Sequence, residues 1–358
     1  MHENRIKIKT LTTDEVLGDI SRPEIQIIDV RSADVYNGWK FNGEPRGGHI
    51  RGARSLPVKW ISYIDWIEIV RSKGITPNRP VIIYGENKFE TENAAQQFIK
   101  AGYSDVKIYL SFIKEWTTNP ELPMERLSGY RQLVPPRWTK ELIDTGCAPE
   151  YDGDRYVICH AHYQNRSAYE KGHIPGAIEV DTNLLEDSAT WNRRSPGELK
   201  EALKGLGIDR DSTVVLYGRF SFPDNSDPFP GSSAGHLGAM RCAFIMLYAG
   251  VKDVRILNGG LQSWVDSNYE LSTQDTLPSP VKDFGGRIPG RPKLAVDIEE
   301  AKEILKDAGK NLVSVRSWSE FTGEVSGYNY IEKKGRIPGA VFGNCGSDAY
   351  HMENYRNL

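Results

Sequence analysis

The chain has 358 residues, 39% of them hydrophobic, and 45 lysines and arginines against 48 acids give a formal net charge of −3. That supplies apolar residues for two or three ordinary domains, and the interspersed charges leave no basic face for nucleic acid. Apolar runs are short, the longest lying around 243–250, so no segment is expected to span a bilayer.

The N-terminus, MHENRIKIKTLTTDEVL, lacks the apolar stretch of a secretory signal. A cytoplasmic location is expected for the chain as given, or a periplasmic one if a native leader has been lost. The four cysteines, Cys147, Cys159, Cys242 and Cys345, are scattered without CxxC spacing, which reads as free thiols rather than a disulfide framework or structural zinc site.

In chain order, IQIIDVRSADVY (25–36) is followed by GGHIRGARSLPV (47–58) and then by a β-branched run, Val81–Tyr84, suited to a strand buried on both faces. A helix is expected over Asn93–Gly102, with Gly102 at its left-handed cap, then a strand at Val106–Tyr109 and Trp116 beyond it. Arg131–Arg137, with its Pro135-Pro136 pair, reads as a connection. The series then repeats: RYVICHAHYQNRSAYEKGHIPGAIEV (155–180), a strand at Val214–Tyr217, a helix over Ala239–Gly250, a strand at Val254–Leu257, and Trp264. Gly48 answers to Gly172, Gly85 to Gly218, Gly102 to Gly250 and Trp116 to Trp264. Their spacings widen at two loops, and the second insertion, 15 residues within Arg219–Leu237, reads as an irregular surface loop. After a second proline- and glycine-rich connection, Leu277–Pro292, a third copy opens with NLVSVRSWSEF and KGRIPGAVFG. Strand–helix–strand alternation implies doubly wound parallel-sheet modules of the α/β class. The expected boundaries are 1–130, 137–276 and, as the N-terminal half of a third module, 293–358.

Asp29-Val30-Arg31 followed by Gly48-His49-Ile50-Arg51-Gly52-Ala53 resembles the opening of a rhodanese homology domain. Gly172-His173-Ile174-Pro175-Gly176-Ala177 resembles it more closely, and Leu257-Asn258-Gly259-Gly260 with Trp264 resembles its closing signature. The arrangement is similar to sulfurtransferases with three tandem rhodanese modules. The resemblance implies transfer of sulfane sulfur from thiosulfate or a similar donor to a thiol or other thiophilic acceptor, through a cysteine persulfide and without a cofactor. Such chemistry needs a cysteine between a strand's C-terminal end and the next helix. There converging amides and the helix dipole stabilise thiolate, persulfide and anionic donor.

Neither loop supplies one. The first reads Gly85-Glu86-Asn87-Lys88-Phe89, with Glu86 disfavouring an anion, and the second Gly218-Arg219-Phe220-Ser221; neither of these stretches fits GxSxG, and Cys-x5-Arg is absent from the chain. Repeat spacing puts the third loop at roughly 372–381, past Leu358. No catalytic residue is therefore expected in this chain, which is expected to be inactive as given; the alternative is a catalytically silent rhodanese-fold scaffold using the pockets at Gly85 and Gly218.

Individual residues have their own readings. Cys345 follows a strand but sits in the wrong loop, Cys242 lies in a helix expected to be buried, and Cys147 reads as a loop thiol. Cys159-His160-Ala161-His162 replaces the Asp-x-Arg of the first module and is read as a strand-end substitution rather than a metal site, since neighbours in a strand face opposite ways. His49 and His173 are expected to orient turns, and Arg31 and Arg316 to form ion pairs within their modules. Arg219, the cation beside an empty loop, is either a holder of a substrate oxyanion or a solvated arginine. Gly259-Gly260 reads as a tight strand-to-helix turn. The expected partners are a small sulfur-containing anion and a thiol acceptor, with no nucleic acid or membrane.

Overall fold

The computed structural model describes residues 8–41, 43–219, 234–327 and 331–343. Two compact units divide between Val134 and Pro135. In the first, five strands lie in the order Lys9–Leu11, Val106–Tyr109, Val81–Tyr84, Gln26–Asp29, Arg54–Ser55, all paired in parallel. The second sheet repeats that order: Leu133–Val134, Asp253–Leu257, Thr213–Gly218, Tyr156–His162, Ile178–Asp181. Thr213–Gly218 pairs in parallel with both Asp253–Leu257 and Tyr156–His162, and Tyr156–His162 in parallel with Ile178–Asp181. The doubly wound α/β reading therefore holds, with tandem modules.

Each central strand is buried along its whole length because helices cover both its faces. All four side chains of Val81–Tyr84 and all six residues of Thr213–Gly218 are buried. The first core gathers Ile27, Ile82, Tyr84, Phe112 and Trp116; the second gathers Val214, Leu216, Cys242 and Met246.

The helices after the central strands start earlier than the apolar pattern indicates, at Lys88–Lys100 and Ala234–Ala249. Asn87 explains the first: its side chain accepts the Glu90 N–H at 2.9 Å and starts a helix whose first turn, Lys-Phe-Glu-Thr, has no apolar stripe to betray it. Gly102 and Gly250 follow with φ of +92° and +116°.

Two expected connections are ordered. Arg131–Arg137 holds a short helical turn, the edge strand Leu133–Val134 and the start of the helix Pro136–Thr145. Proline at the first helical position costs that helix no hydrogen bond. Segment 277–292 is a strap on the second unit. Phe284 is fully buried, a burial that contributes about 2–3 kcal/mol, and its carbonyl accepts the Arg210 N–H at 2.7 Å.

The segment from Pro292 has a helix, Ile298–Lys306, and one parallel pair, Val313–Ser314 with Val341–Phe342. Val313, Val315 and Val341 are 49%, 66% and 44% exposed, as expected of strands without covering neighbours among the described residues. Also among the described residues, no helix is long and apolar enough to cross a membrane.

Candidate active site

The ligand edge of a parallel sheet lies beyond the C-terminal ends of its strands, where chain reversals leave a crevice. In the first unit, three residues, 85–87, join the central strand to its helix. Gly85 is buried, and a Cβ there would lie 2.7 Å from Thr91 Oγ1 and 2.9 Å from Val30 Cγ2. Thr91 is itself fixed, its hydroxyl donating to the Asn87 carbonyl at 2.7 Å. The space a reactive side chain would occupy is thus filled by Val30 and Thr91, and Asn87 takes up a helix N-terminal amide that would otherwise face an anion.

In the second unit, Gly218 is likewise buried at the strand's end and Arg219 is exposed. A Cβ on Gly235 would meet the Arg219 carbonyl at 2.6 Å, so the strand's exit lies against the first turn of the helix. The insertion between them, with Phe220 and Ser221, falls outside the described residues, as does Cys345.

Behind these loops the two units share one set of contacts. The Tyr84 hydroxyl accepts the Ile50 N–H at 3.0 Å, and the Tyr217 hydroxyl accepts the Ile174 N–H at 2.9 Å. Tyr36 stacks on His49 with ring centroids 3.7 Å apart, and Tyr169 on His173 at 3.8 Å. Each of these histidines bonds through Nδ1 to the carbonyl of its stacked tyrosine, at 2.8 and 2.9 Å. Each tyrosine hydroxyl donates to the carbonyl of the alanine ending the GHIxGA string. Both histidines therefore pin turns, as their strings suggested.

The units differ where strand register places Asp29 beside Tyr84 and His160 beside Tyr217. Asp29 and Arg31 form a buried ion pair at 2.6 Å, and Arg31 Nη2 also donates to the Gly48 carbonyl at 2.7 Å. The guanidinium lies 4.3 Å from the Phe112 ring centre. Burial opposes its charge, but the Asp29 carboxylate outweighs burial and holds Arg31 protonated. Arg316 repeats part of this clamp, donating to the Gly335 carbonyl at 3.1 Å and pairing with Glu320 at 2.8 Å. The ion-pair roles expected of Arg31 and Arg316 are both seen.

In the second unit, His160 is fully buried between Tyr217 and Tyr169, at centroid distances of 4.9 and 5.7 Å. Neither of its ring nitrogens finds a partner among the described residues. Burial, followed by His162, His173 and Arg219, pushes its pKa down to about 3. His162 takes the Arg31 position: Nδ1 accepts the Asn165 N–H at 3.1 Å, which leaves Nε2 to donate to Glu179 at 2.7 Å. Cys159, on the opposite face, packs into the apolar core. Among the described residues no cluster of three His, Cys, Asp or Glu has a metal-holding arrangement. Burial pushes the Cys159 and Cys242 thiols well up, away from nucleophilic thiolate, whereas Cys147 is exposed. Gly259 and Gly260, with φ of +82° and +57°, make the turn into the helix Gly260–Asp266.

Sequence reasoning missed the tyrosine hydroxyls and the unpartnered imidazole. The signal was present in the Tyr-Gly pair that ends both VIIYG and VVLYG.

Two parallel α/β units, each with a strand-to-helix loop behind a Tyr–His pin, define the class, and the comparisons agree. The rhodanese-like domain matches residues 12–119 and 136–267, and the chain belongs to the rhodanese family. It is 34% identical over 355 residues to the thiosulfate sulfurtransferase YnjE of Escherichia coli, covering 98% of this chain and 75% of that relative. A putative thiosulfate sulfurtransferase of Haloferax volcanii is 35% identical over 179 residues, 48% of this chain and 56% of its own length. Among solved structures, wild-type EanB superposes with a TM-score of 0.93 at 55% identity, over 100% of this chain and 83% of EanB. An anaerobic ergothioneine biosynthesis enzyme from Chlorobium limicola, in complex with trimethyl histidine, gives 0.92 at 54%, over 98% and 83%.

Proposed function

We propose that this chain is the larger part of a rhodanese-type sulfurtransferase that passes sulfane sulfur, through a cysteine persulfide, to hercynine and so forms ergothioneine. One observation carries the reading: identity of 54–55% across nearly all of this chain to EanB, whose structures include complexes with hercynine and with ergothioneine. One of those complexes holds ergothioneine covalently linked with a cysteine persulfide. The donor is thiosulfate or a related sulfane compound, in keeping with the names of the curated relatives.

Within that reading the first two modules are framework. Gly85 is walled in by Val30 and Thr91, and Cys159 and Cys242 are buried with raised thiol pKa values. Segment 293–358 opens a third module, and the sulfur-bearing loop belongs at roughly 372–381, where repeat spacing places it. A thiolate there attacks the outer sulfur of the donor; for thiosulfate the S–S bond breaks and sulfite leaves with the electron pair. Arg219 lies beside an empty loop and serves as a surface cation rather than the donor's holder.

The test uses the gene product read through its downstream frame, given hercynine and a sulfane donor and followed by mass spectrometry. Ergothioneine is expected, and failure to form it with donor-loaded protein would remove the proposal. The chain as given is expected to show negligible thiosulfate:cyanide turnover and no gain of about 32 Da, one sulfur atom, on any thiol. Turnover abolished by Cys345→Ser would bring the sulfur carrier into this chain.

A further inference from the structure

The strap at 277–292 does more than join segments. Besides the buried Phe284, its backbone is stitched to the second unit at three points: the Val281 N–H donates to Lys204, the Gly290 N–H to Ala249 and the Arg291 N–H to Tyr248, at 2.9–3.0 Å. The approach at Gly290 is so close that a Cβ there would lie 2.7 Å from Gly250 Cα, so the backbones touch only because glycine stands on both sides.

This stitching gathers cations from three separate stretches of chain around one cavity of about 370 Å³. Arg210 comes from the turn before the central strand, Lys252 from the turn before Asp253–Leu257, and Arg287 and Arg291 from the strap. The Lys252 N–H donates to the Arg210 carbonyl at 2.9 Å, and Arg291 Nη2 to the Lys252 carbonyl at 3.2 Å, so the three stretches are held in register. Among the described residues no carboxylate lines the cavity. The nearby Asp211 pairs with Lys252, whereas Arg210, Arg287 and Arg291 make no ion pair among the described residues. Like charges fixed around one depression repel one another, and a multiply charged anion relieves that repulsion.

We infer that this cavity binds the phosphate chain of a small polyphosphate, free or as part of a nucleotide. Guanidinium forks match phosphate oxygens bidentately, and three unpaired arginines with a lysine exceed what a single monoanion would neutralise. The volume is that of a small-ligand site. Its apolar lining is limited to Phe284 and Pro289, with the Phe284 ring turned into the core, so no aromatic face is offered to a base and the phosphates alone are recognised. The cavity sits at the N-terminal ends of strands Thr213–Gly218 and Asp253–Leu257, the edge opposite Gly218, and is therefore independent of sulfur transfer.

Calorimetry of the chain with sodium tripolyphosphate at about 0.15 M salt tests the site. Saturable one-to-one binding is expected, with ATP binding about equally and sulfate at matched ionic strength failing to compete. The double variant Arg210→Gln with Arg287→Gln, both exposed positions, is expected to weaken binding about tenfold or more while leaving Tm unchanged. Absence of saturable binding at millimolar tripolyphosphate, undiminished affinity in the variant, or a strong preference for ATP would each overturn the inference. Hercynine conversion is read separately, in the read-through gene product carrying the same two substitutions, and is expected to be unaltered.

Discussion

The first two modules share strand order, Tyr–His pins and tyrosine hydroxyls, yet end the strand beside the central one in opposite chemical ways. One carries the buried Asp29–Arg31 pair at 2.6 Å; the other carries His160, neutral and wedged between Tyr217 and Tyr169. Because the fold survives the exchange, the charge pair is not what defines it. What both copies keep is the bond from a backbone N–H, Ile50 or Ile174, to a buried tyrosine hydroxyl. The paired charges are nonetheless costly to disturb one at a time, since a lone buried charge has no water to solvate it.

The comparison breaks hardest at Arg31. Arg31→Met strands the Asp29 carboxylate and is expected to cost about 3–5 kcal/mol in urea unfolding. A loss under about 1 kcal/mol would show that the pair does not hold the strand end. The next effect depends on pH. Above its ordinary value of 6.5, His160 is neutral in folded and unfolded chain alike; between there and about 3 only the unfolded chain takes up the proton. Stability therefore falls as pH drops through that window, by about 3 kcal/mol at pH 4 from this group. His160→Leu should remove that acid sensitivity and, by deleting two unpartnered buried nitrogens, add about 1 kcal/mol at neutral pH. An unchanged pH profile of unfolding would place the sensitivity elsewhere. Smaller again is Gly85→Ala, whose methyl group meets Thr91 and Val30 and is expected to cost about 2 kcal/mol by thermal denaturation. The smallest effect is at the pair between half-buried Arg193 and the exposed Asp297: Asp297→Ala should shift stability by no more than about 0.5 kcal/mol.

Much of this arrangement was legible in the sequence where it is periodic or repeated. Val81–Tyr84 and Val106–Tyr109 are strands at the residues their apolar runs marked, and the GHI histidines pin turns as their placement suggested. The edge strands Lys9–Leu11 and Leu133–Val134 escaped because two or three residues carry no measurable period. The hairpin strands Glu186–Asp187 and Asn192–Arg193 escaped for the same reason. The strap was read as a connection because proline and glycine signal a break in regular structure and say nothing of a distant pocket that swallows Phe284. At the candidate site the empty loops were legible, since a missing cysteine is visible in any sequence. The wall behind Gly85 was not, because Val30 and Thr91 reach it from different elements.

That wall bears on how the first module can change over generations. One nucleotide turns a glycine codon into one for cysteine, so a lost or absent thiol looks easy to regain. At Gly85 the new side chain would arrive before any room for it, and Val30 and Thr91 would have to shrink together with the substitution. Placing a thiol at that position therefore takes coordinated changes at Val30, Gly85 and Thr91 rather than one substitution.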